Sequence, residues 1–180
     1  MSPAAFSFPT TTLFGAGALA ALPTRLETLR LQRPLVVTDA GLLGTPAFES
    51  LRQTLGAKEQ GRNWFLCSRV HANPLQQDVV DAAEAFRAND CDGVIALGGG
   101  SPLDVGKAAR LLVRRPGFDL ARFYDEPDWS GLAPFVAIPT TAGTGSEVGR
   151  SSVITAFGTQ RRSVIFLPRL LAKQIGRAHV

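Results

Sequence analysis

Three consecutive glycines at the junction of an apolar run and a helical pattern are the first residues with chemical content. Residues 94–107 read Val-Ile-Ala-Leu-Gly-Gly-Gly-Ser-Pro-Leu-Asp-Val-Gly-Lys. Glycines let a backbone approach a ligand with no Cβ in the way, and a helix opening just after them presents free N–H groups and a positive dipole end. Such a site favours an anion by roughly 0.3–1 kcal/mol per charge, and a diphosphate suits it. Two standard phosphate motifs fail here. A GxGxxG pattern beginning at Gly98 meets Leu103 where its third glycine belongs. A P-loop would need one residue fewer between Gly100 and Gly106, and a hydroxyl where Ala108 stands.

A second cluster follows another apolar run. Residues 135–147, Phe-Val-Ala-Ile-Pro-Thr-Thr-Ala-Gly-Thr-Gly-Ser-Glu, crowd hydroxyl donors around a flexible backbone. A third site candidate is Asp39, at the end of the run 35–38. A carboxylate there can accept both hydroxyls of a ribose and repel a 2′-phosphate. It can equally serve as a helix N-cap, and the residue alone does not choose. Cys67 and Cys91 fall outside any CxxC spacing and read as buried free thiols in a reducing, cytoplasmic setting. His71 and His179 are the two histidines, too few to assemble a metal site, and His71 reads as a loop residue.

The elements that must position these loops alternate. Continuous apolar runs at 35–38, 64–67, 94–97 and 135–138, with weaker ones at 153–155 and 164–167, suit strands buried on both faces. Helical periodicity places Ala18, Leu19, Leu22, Leu26 and Leu29 on one face, with Pro23 tolerated only in a first turn. It predicts further helices over 78–88 and 102–113, the latter capped by Ser101. The stretch 114–134 reads as a long surface excursion. Strand–helix alternation at this spacing predicts an α/β fold with a Rossmann-like, mostly parallel sheet flanked by helices. Ligands of such sheets gather at the carboxyl ends of the strands, where all three loops emerge.

The bulk composition agrees with that class. The 180 residues are 45% hydrophobic and 19% charged, which is globular and not disordered. No apolar run approaches the ~20 residues of a membrane span, and the N-terminus lacks a secretory signal pattern. The net charge of +4 is scattered, without a basic stripe, so neither nucleic acid nor membrane is expected as a partner.

Five stretches, in order, resemble the iron-containing (metal-dependent, group III) alcohol dehydrogenase family: 13–17, 36–42, Asn73-Pro74, 97–109 and 138–148. The last two are long and specific. The resemblance implies an N-terminal dinucleotide-binding α/β domain followed by a helical domain that supplies one Asp and three His to a divalent metal, commonly iron. It implies NAD(P)-linked interconversion of alcohols with aldehydes or ketones, acting on a small-molecule substrate, with homo-oligomers possible for the intact enzyme. Position by position, Asp39 would read the adenosine ribose and favour NAD over NADP. Gly99, Gly100 and Ser101 would hold the diphosphate, while Asn73, Asp104, Thr140, Thr141 and Thr144 would line the rest of the cleft. Arg162 stands where the family usually has a lysine close to the cofactor, and a planar fork is not a movable point charge.

The metal-binding helical domain has no counterpart in this sequence, so the resemblance implies a fragment inactive by itself. Residues 1–174 are expected to be the truncated dinucleotide-binding domain. Residues 175–180, Ile-Gly-Arg-Ala-His-Val, match one reading frame of a common sequencing adapter and are expected to be a non-native tail. A nucleotide-binding module without catalysis, and a glycerol-type dehydrogenase or lyase on the same scaffold, are the competing readings.

Overall fold

The computed structural model describes residues 10–56, 63–125, 128–156 and 161–177. Its central feature is a six-stranded sheet in the order β1-β8-β5-β4-β2-β3, parallel at every pairing. The strands are β1 (Thr11–Phe14), β2 (Pro34–Val37), β3 (Phe65–Cys67), β4 (Gly93–Gly98), β5 (Phe135–Pro139) and β8 (Gln174–Arg177). Helices α1 (Leu22–Thr28), α2 (Pro46–Leu55), α3 (Gln76–Ala88) and α4 (Gly100–Arg114) connect and cover them.

Two-sided burial explains why the strands read as unbroken apolar runs. In β4, Val94 and Ala96 belong to the core beneath α3 and α4, while Ile95 and Leu97 belong to the core beneath α1 and α2. All four are fully buried. Val94, Ile95 and Leu97 each contribute about 1.5–3 kcal/mol by leaving water, and the single methyl of Ala96 less. The chain steps outward from β2 to β3, then returns to place β4 on the other side of β2. That reversal puts a switch point between β2 and β4, and a crevice opens there outside the carboxyl ends of the strands.

Four expectations need correction. The weaker runs do not join the parallel sheet: β6 (Ser151–Thr155) and β7 (Arg162–Phe166) form a separate antiparallel pair. Their burial alternates, Ser152, Ile154 and Ile165 inward, as in a ribbon with one covered face. Ser101 does not cap α4, because the helix already includes Gly100 and the N-cap is Gly99; the Ser101 hydroxyl donates to the Ala72 carbonyl at 2.6 Å. The stretch 114–134 is no mere surface excursion. Leu120, Phe123 and Trp129 are buried, Trp129 stacks edge-on against Phe118, and its indole N–H donates to the Phe123 carbonyl. Lastly α2, β1 and β8 were not foreseen.

The α1 expectation holds, with Pro23 in the first turn, after a short 3-10 turn at Ala18–Ala21. Of the expected 175–180 tail, Ile175 is buried in β8, paired with Ala137 of β5 and Thr12 of β1, while residues 178–180 with His179 lie outside the described residues.

Both cysteines are free, Cys91 buried and Cys67 partly so. Burial pushes the Cys91 thiol up to about 11 and raises that of Cys67. Thiolate is the reactive form. Native chain at pH 8 is therefore expected to leave Cys91 unalkylated by iodoacetamide over an hour, with both thiols reacting once urea unfolds it. Stoichiometric native labelling of Cys91 by mass spectrometry would contradict this burial.

Candidate functional site

The carboxyl ends of β2, β4 and β5 bring the three sequence-identified loops together. Gly98, the last residue of β4, has φ +143°, and a Cβ there would lie 2.8 Å from Pro102 Cγ and 3.1 Å from Leu42 Cδ1. Only glycine makes this turn without strain. The close approach of Leu42 ties the loop after β2 to the turn after β4. Thr140, the first residue past β5, donates its backbone N–H to the Gly98 carbonyl at 3.0 Å, which docks the hydroxyl loop beside the glycine turn.

Gly99 and Gly100 open the 15-residue helix α4. A Cβ on Gly99 would sit 3.4 Å from Thr141 Oγ1, and one on Gly100 would sit 3.2 Å from Thr144 Cγ2. Both threonines thus lie over the glycines, across a gap that side chains at 99 or 100 would fill. The unpaired N–H groups of the first helical turn end there, with the positive end of the helix dipole.

Six of the expected site residues line one cleft of about 310 Å³: Asn73, Gly100, Ser101, Asp104, Thr144 and Arg162. They come from the segment before α3, from α4, from the loop after β5 and from β7. Gly99, Thr140 and Thr141 sit at its edge through the contacts above. Asn73 and Arg162 meet directly, the Arg162 guanidinium donating to Asn73 Oδ1 at 2.9 Å. Thr155 N–H donates to the Pro74 carbonyl, so the β6–β7 pair is pinned to the Asn73-Pro74 segment.

Asp39 stands apart from this cleft, at the N-cap position of a short 3-10 turn, Ala40–Leu42, with no capping hydrogen bond from its side chain. Its Oδ1 lies 3.1 Å from where a Cβ on Gly41 would be. Beneath it Thr38 is fully buried, and its Oγ1 has no hydrogen-bond partner among the described residues.

The sequence reading missed the ionic centre of the site. Asp104 and Lys107, one turn apart on α4, pair at 3.0 Å. Lys107 is 1% exposed. Burial pulls its ammonium below the ordinary lysine range, and the Asp104 carboxylate opposes that shift. Asp104 Oδ1 also accepts from the Ser146 hydroxyl at 2.6 Å, Oδ2 accepts from Val153 N–H at 3.0 Å, and its backbone carbonyl accepts from the Ser152 hydroxyl at 2.8 Å. A carboxylate and an amine at i, i+3 within a helix whose other inward residues are mostly apolar was the available signal.

His71 is a loop residue, as expected. Its Nδ1 lies 2.7 Å from Oδ1 of the buried Asp78, whose Oδ2 accepts the N–H groups of His71 and Leu75. No group of three His, Cys, Asp or Glu side chains able to hold a metal occurs among the described residues. No described helix is long and apolar enough to cross a membrane. A larger groove, about 720 Å³, lies between α3 and the 117–121 segment and includes none of the expected site residues.

Comparison with known proteins finds one family throughout. A model of the iron-containing alcohol dehydrogenases matches residues 9–175. The probable alcohol dehydrogenase EutG of Escherichia coli (strain K12) is 36% identical over 160 residues, 89% of this chain and 40% of that protein. A crystal structure of 1,3-propanediol oxidoreductase superposes with TM-score 0.85 at 32% identity, covering 97% of this chain and 46% of that one. Sulfoacetaldehyde reductase from Bifidobacterium kashiwanohense, solved in complex with NAD+, superposes with TM-score 0.80 at 26% identity, covering 98% and 46%. The chain thus spans less than half the length of these relatives. With the family match running over nearly all of it, this chain belongs to the iron-containing alcohol dehydrogenase family.

Proposed function

We propose that this chain is the NAD-binding portion of an oxidoreductase that interconverts alcohols with aldehydes or ketones. The carrying observation is the convergence of Asn73, Gly100, Ser101, Asp104, Thr144 and Arg162, from four separate segments, on one cleft at the N-terminus of α4. That helix end and the side-chain-free floor at Gly99 and Gly100 fit a diphosphate. The threonines over the glycines supply hydroxyl donors to its oxygens. Arg162 adds positive charge at the opposite wall, with the Asn73 hydrogen bond fixing its fork. Asp39 would hold the adenosine ribose hydroxyls and repel a 2′-phosphate.

When bound, the nicotinamide supplies the redox chemistry, accepting hydride from the carbinol carbon of the alcohol. The residues of this chain bind and orient it. The divalent metal of the family, iron in the intact enzyme, would be held by the family's helical domain. The reading places the enzyme in the cytoplasm, where its thiols stay reduced.

Titration of the chain with NADH, followed by nicotinamide fluorescence, tests the binding. Saturable binding is expected, and none at 1 mM would overturn the reading. An alcohol-oxidation assay with added Fe²⁺ or Zn²⁺ then separates binding from turnover. Binding without turnover is the outcome expected of these 180 residues, and turnover by this chain alone would overturn that expectation. Replacing Asp39 with glycine is expected to shrink the NAD-over-NADP preference about tenfold, because a like charge no longer faces the 2′-phosphate. Unchanged selectivity would remove the role given to Asp39.

A further inference from the structure

Lys107 is not among the residues that line the cleft, yet all three partners of its ammonium are. Its ammonium has three acceptors: Asp104 Oδ1 at 3.0 Å, the Ser146 carbonyl at 3.0 Å and the Ser151 carbonyl. Three N–H bonds therefore meet three oxygens, which is the full donor capacity of a lysine. Two of those oxygens lie at the two ends of the segment 146–151. Between them the chain turns back on itself through Val148 N–H to Gly145 O and Gly149 N–H to Ser146 O. The same segment gives Ser146, Gly149 and Ser151 to the cleft lining, facing Gly100 and Ser101 of α4.

We propose that Lys107 is a positioning residue: it draws both ends of the 146–151 segment onto α4 and so fixes that wall of the cleft opposite the glycine turn. The role rests on the nucleotide-binding reading above for its purpose and on the hydrogen bonds alone for its mechanics. Asp104 completes the clamp. Its carboxylate engages Ser146 and Val153 and its backbone carbonyl engages Ser152, so the acid expected to line the cofactor cleft also ties the cleft's wall to α4. The β6–β7 pair forms no ladder with the six-stranded sheet. Without a shared ladder, this wall is placed by Ile154 and Ile165 in the core, by the ties to α4 and by the contacts with Asn73 and Pro74. A wall held before the ligand arrives spares the ligand the entropy of ordering it.

The test uses the whole 180-residue chain with Lys107→Met, and Asp104→Asn/Lys107→Met as a second variant that leaves no unpaired buried charge. Hydrogen exchange without cofactor is expected to speed up at least tenfold at amides 145–153 in either variant. Amides of β4 and β5 should keep their wild-type protection. NADH should bind about tenfold more weakly to the variants, and saturating NADH should restore protection at 145–153. A merely structural role would instead lower protection across the whole sheet, with no recovery on adding NADH, and that pattern overturns the proposal. Unchanged exchange at 145–153 overturns it too, as does unchanged NADH affinity with a loosened segment. If Lys107→Met does not fold, the double variant decides by the same criteria. Wild-type chain that binds no NADH defeats the nucleotide reading, while the exchange measurement still decides the clamp.

Discussion

Arg110→Met is expected to remove about 3–5 kcal/mol of folding stability, a large part of the ~5–15 kcal/mol that holds a typical domain. Arg110 is 2% exposed on the inner face of α4. Its guanidinium donates to the Ala133 carbonyl at 2.6 Å, to Leu170 at 3.4 Å and to Arg169 at 3.3 Å, and lies 5.4 Å from the centre of the Phe135 ring. These acceptors belong to the connections that enter β5 and β8, so one side chain anchors two crossings of the chain to one helix. Burial alone pulls the guanidinium down to about 10, which measures how unwelcome the charge is there. It remains charged at neutral pH. Methionine keeps most of the stem's packing but leaves three carbonyls without their donor, at about 1–3 kcal/mol for each that stays dry. Urea denaturation should show the midpoint falling with the slope unchanged. A midpoint within about 0.3 M of wild type, a shift worth under ~1 kcal/mol at ordinary slopes, would mean that those carbonyls hydrate freely and the anchoring role is wrong.

Gly100→Val is expected to weaken NADH binding by roughly 30-fold or more, ~2 kcal/mol, while leaving the urea midpoint close to wild type. A Cβ at position 100 would stand 3.2 Å from Thr144 Cγ2 and 3.4 Å from Thr144 Cβ, and the two methyl groups of valine extend from it into the cleft floor. The backbone of Gly100 is helical, and valine is no poorer a helix former than the glycine it replaces, so helix propensity does not oppose the exchange. Gly98 is the contrasting position. With φ at +143° and Pro102 Cγ at 2.8 Å from its would-be Cβ, an alanine there strains the turn itself and lowers stability along with binding. Fluorescence titration beside urea melts separates the two effects. Valine at 100 binding NADH within threefold of wild type would mean that the cofactor does not use this floor.

The parts of this molecule that were legible in the sequence are those whose residue types have one physical use. Three glycines followed by Ser-Pro admit few structures besides a tight strand-to-helix turn, and Val94 to Leu97 is apolar on both sides because both sides are buried. The residue types alone therefore place the loops at 39, 98–101 and 140–144 at one end of one sheet. Other elements were hidden for identifiable reasons. β1 begins Thr-Thr and lies at the sheet's edge with Phe14 exposed, so no apolar run marks it. α2 carries its signature, a Thr45-Pro46 start and Ala47, Phe48, Leu51 and Leu55 on the buried face, but the pattern went unread. For β6, the alternation of Ser, Val and Ile resembles a weak run of continuous apolarity, while its period of two fits an antiparallel ribbon with one covered face. The ties from Lys107 to Ser146 and Ser151 bridge 39 and 44 residues of chain and could not be read from spacing. A basic residue on the inner face of a helix announces a partner without saying where it is.

Two carboxylates near the mouth of the crevice differ in what depends on them. Asp104 anchors a helix, a loop and a hairpin at once, so any exchange there disturbs all three. Asp39 takes no hydrogen bond from its side chain in its turn and anchors none of these elements. Mutational drift is therefore constrained at one acid and nearly free at the other. Residue 39 can change its charge, size or polarity while the scaffold stays intact, which makes the loop after β2 the place where descendants of this fold can diverge in ligand preference at little risk to folding.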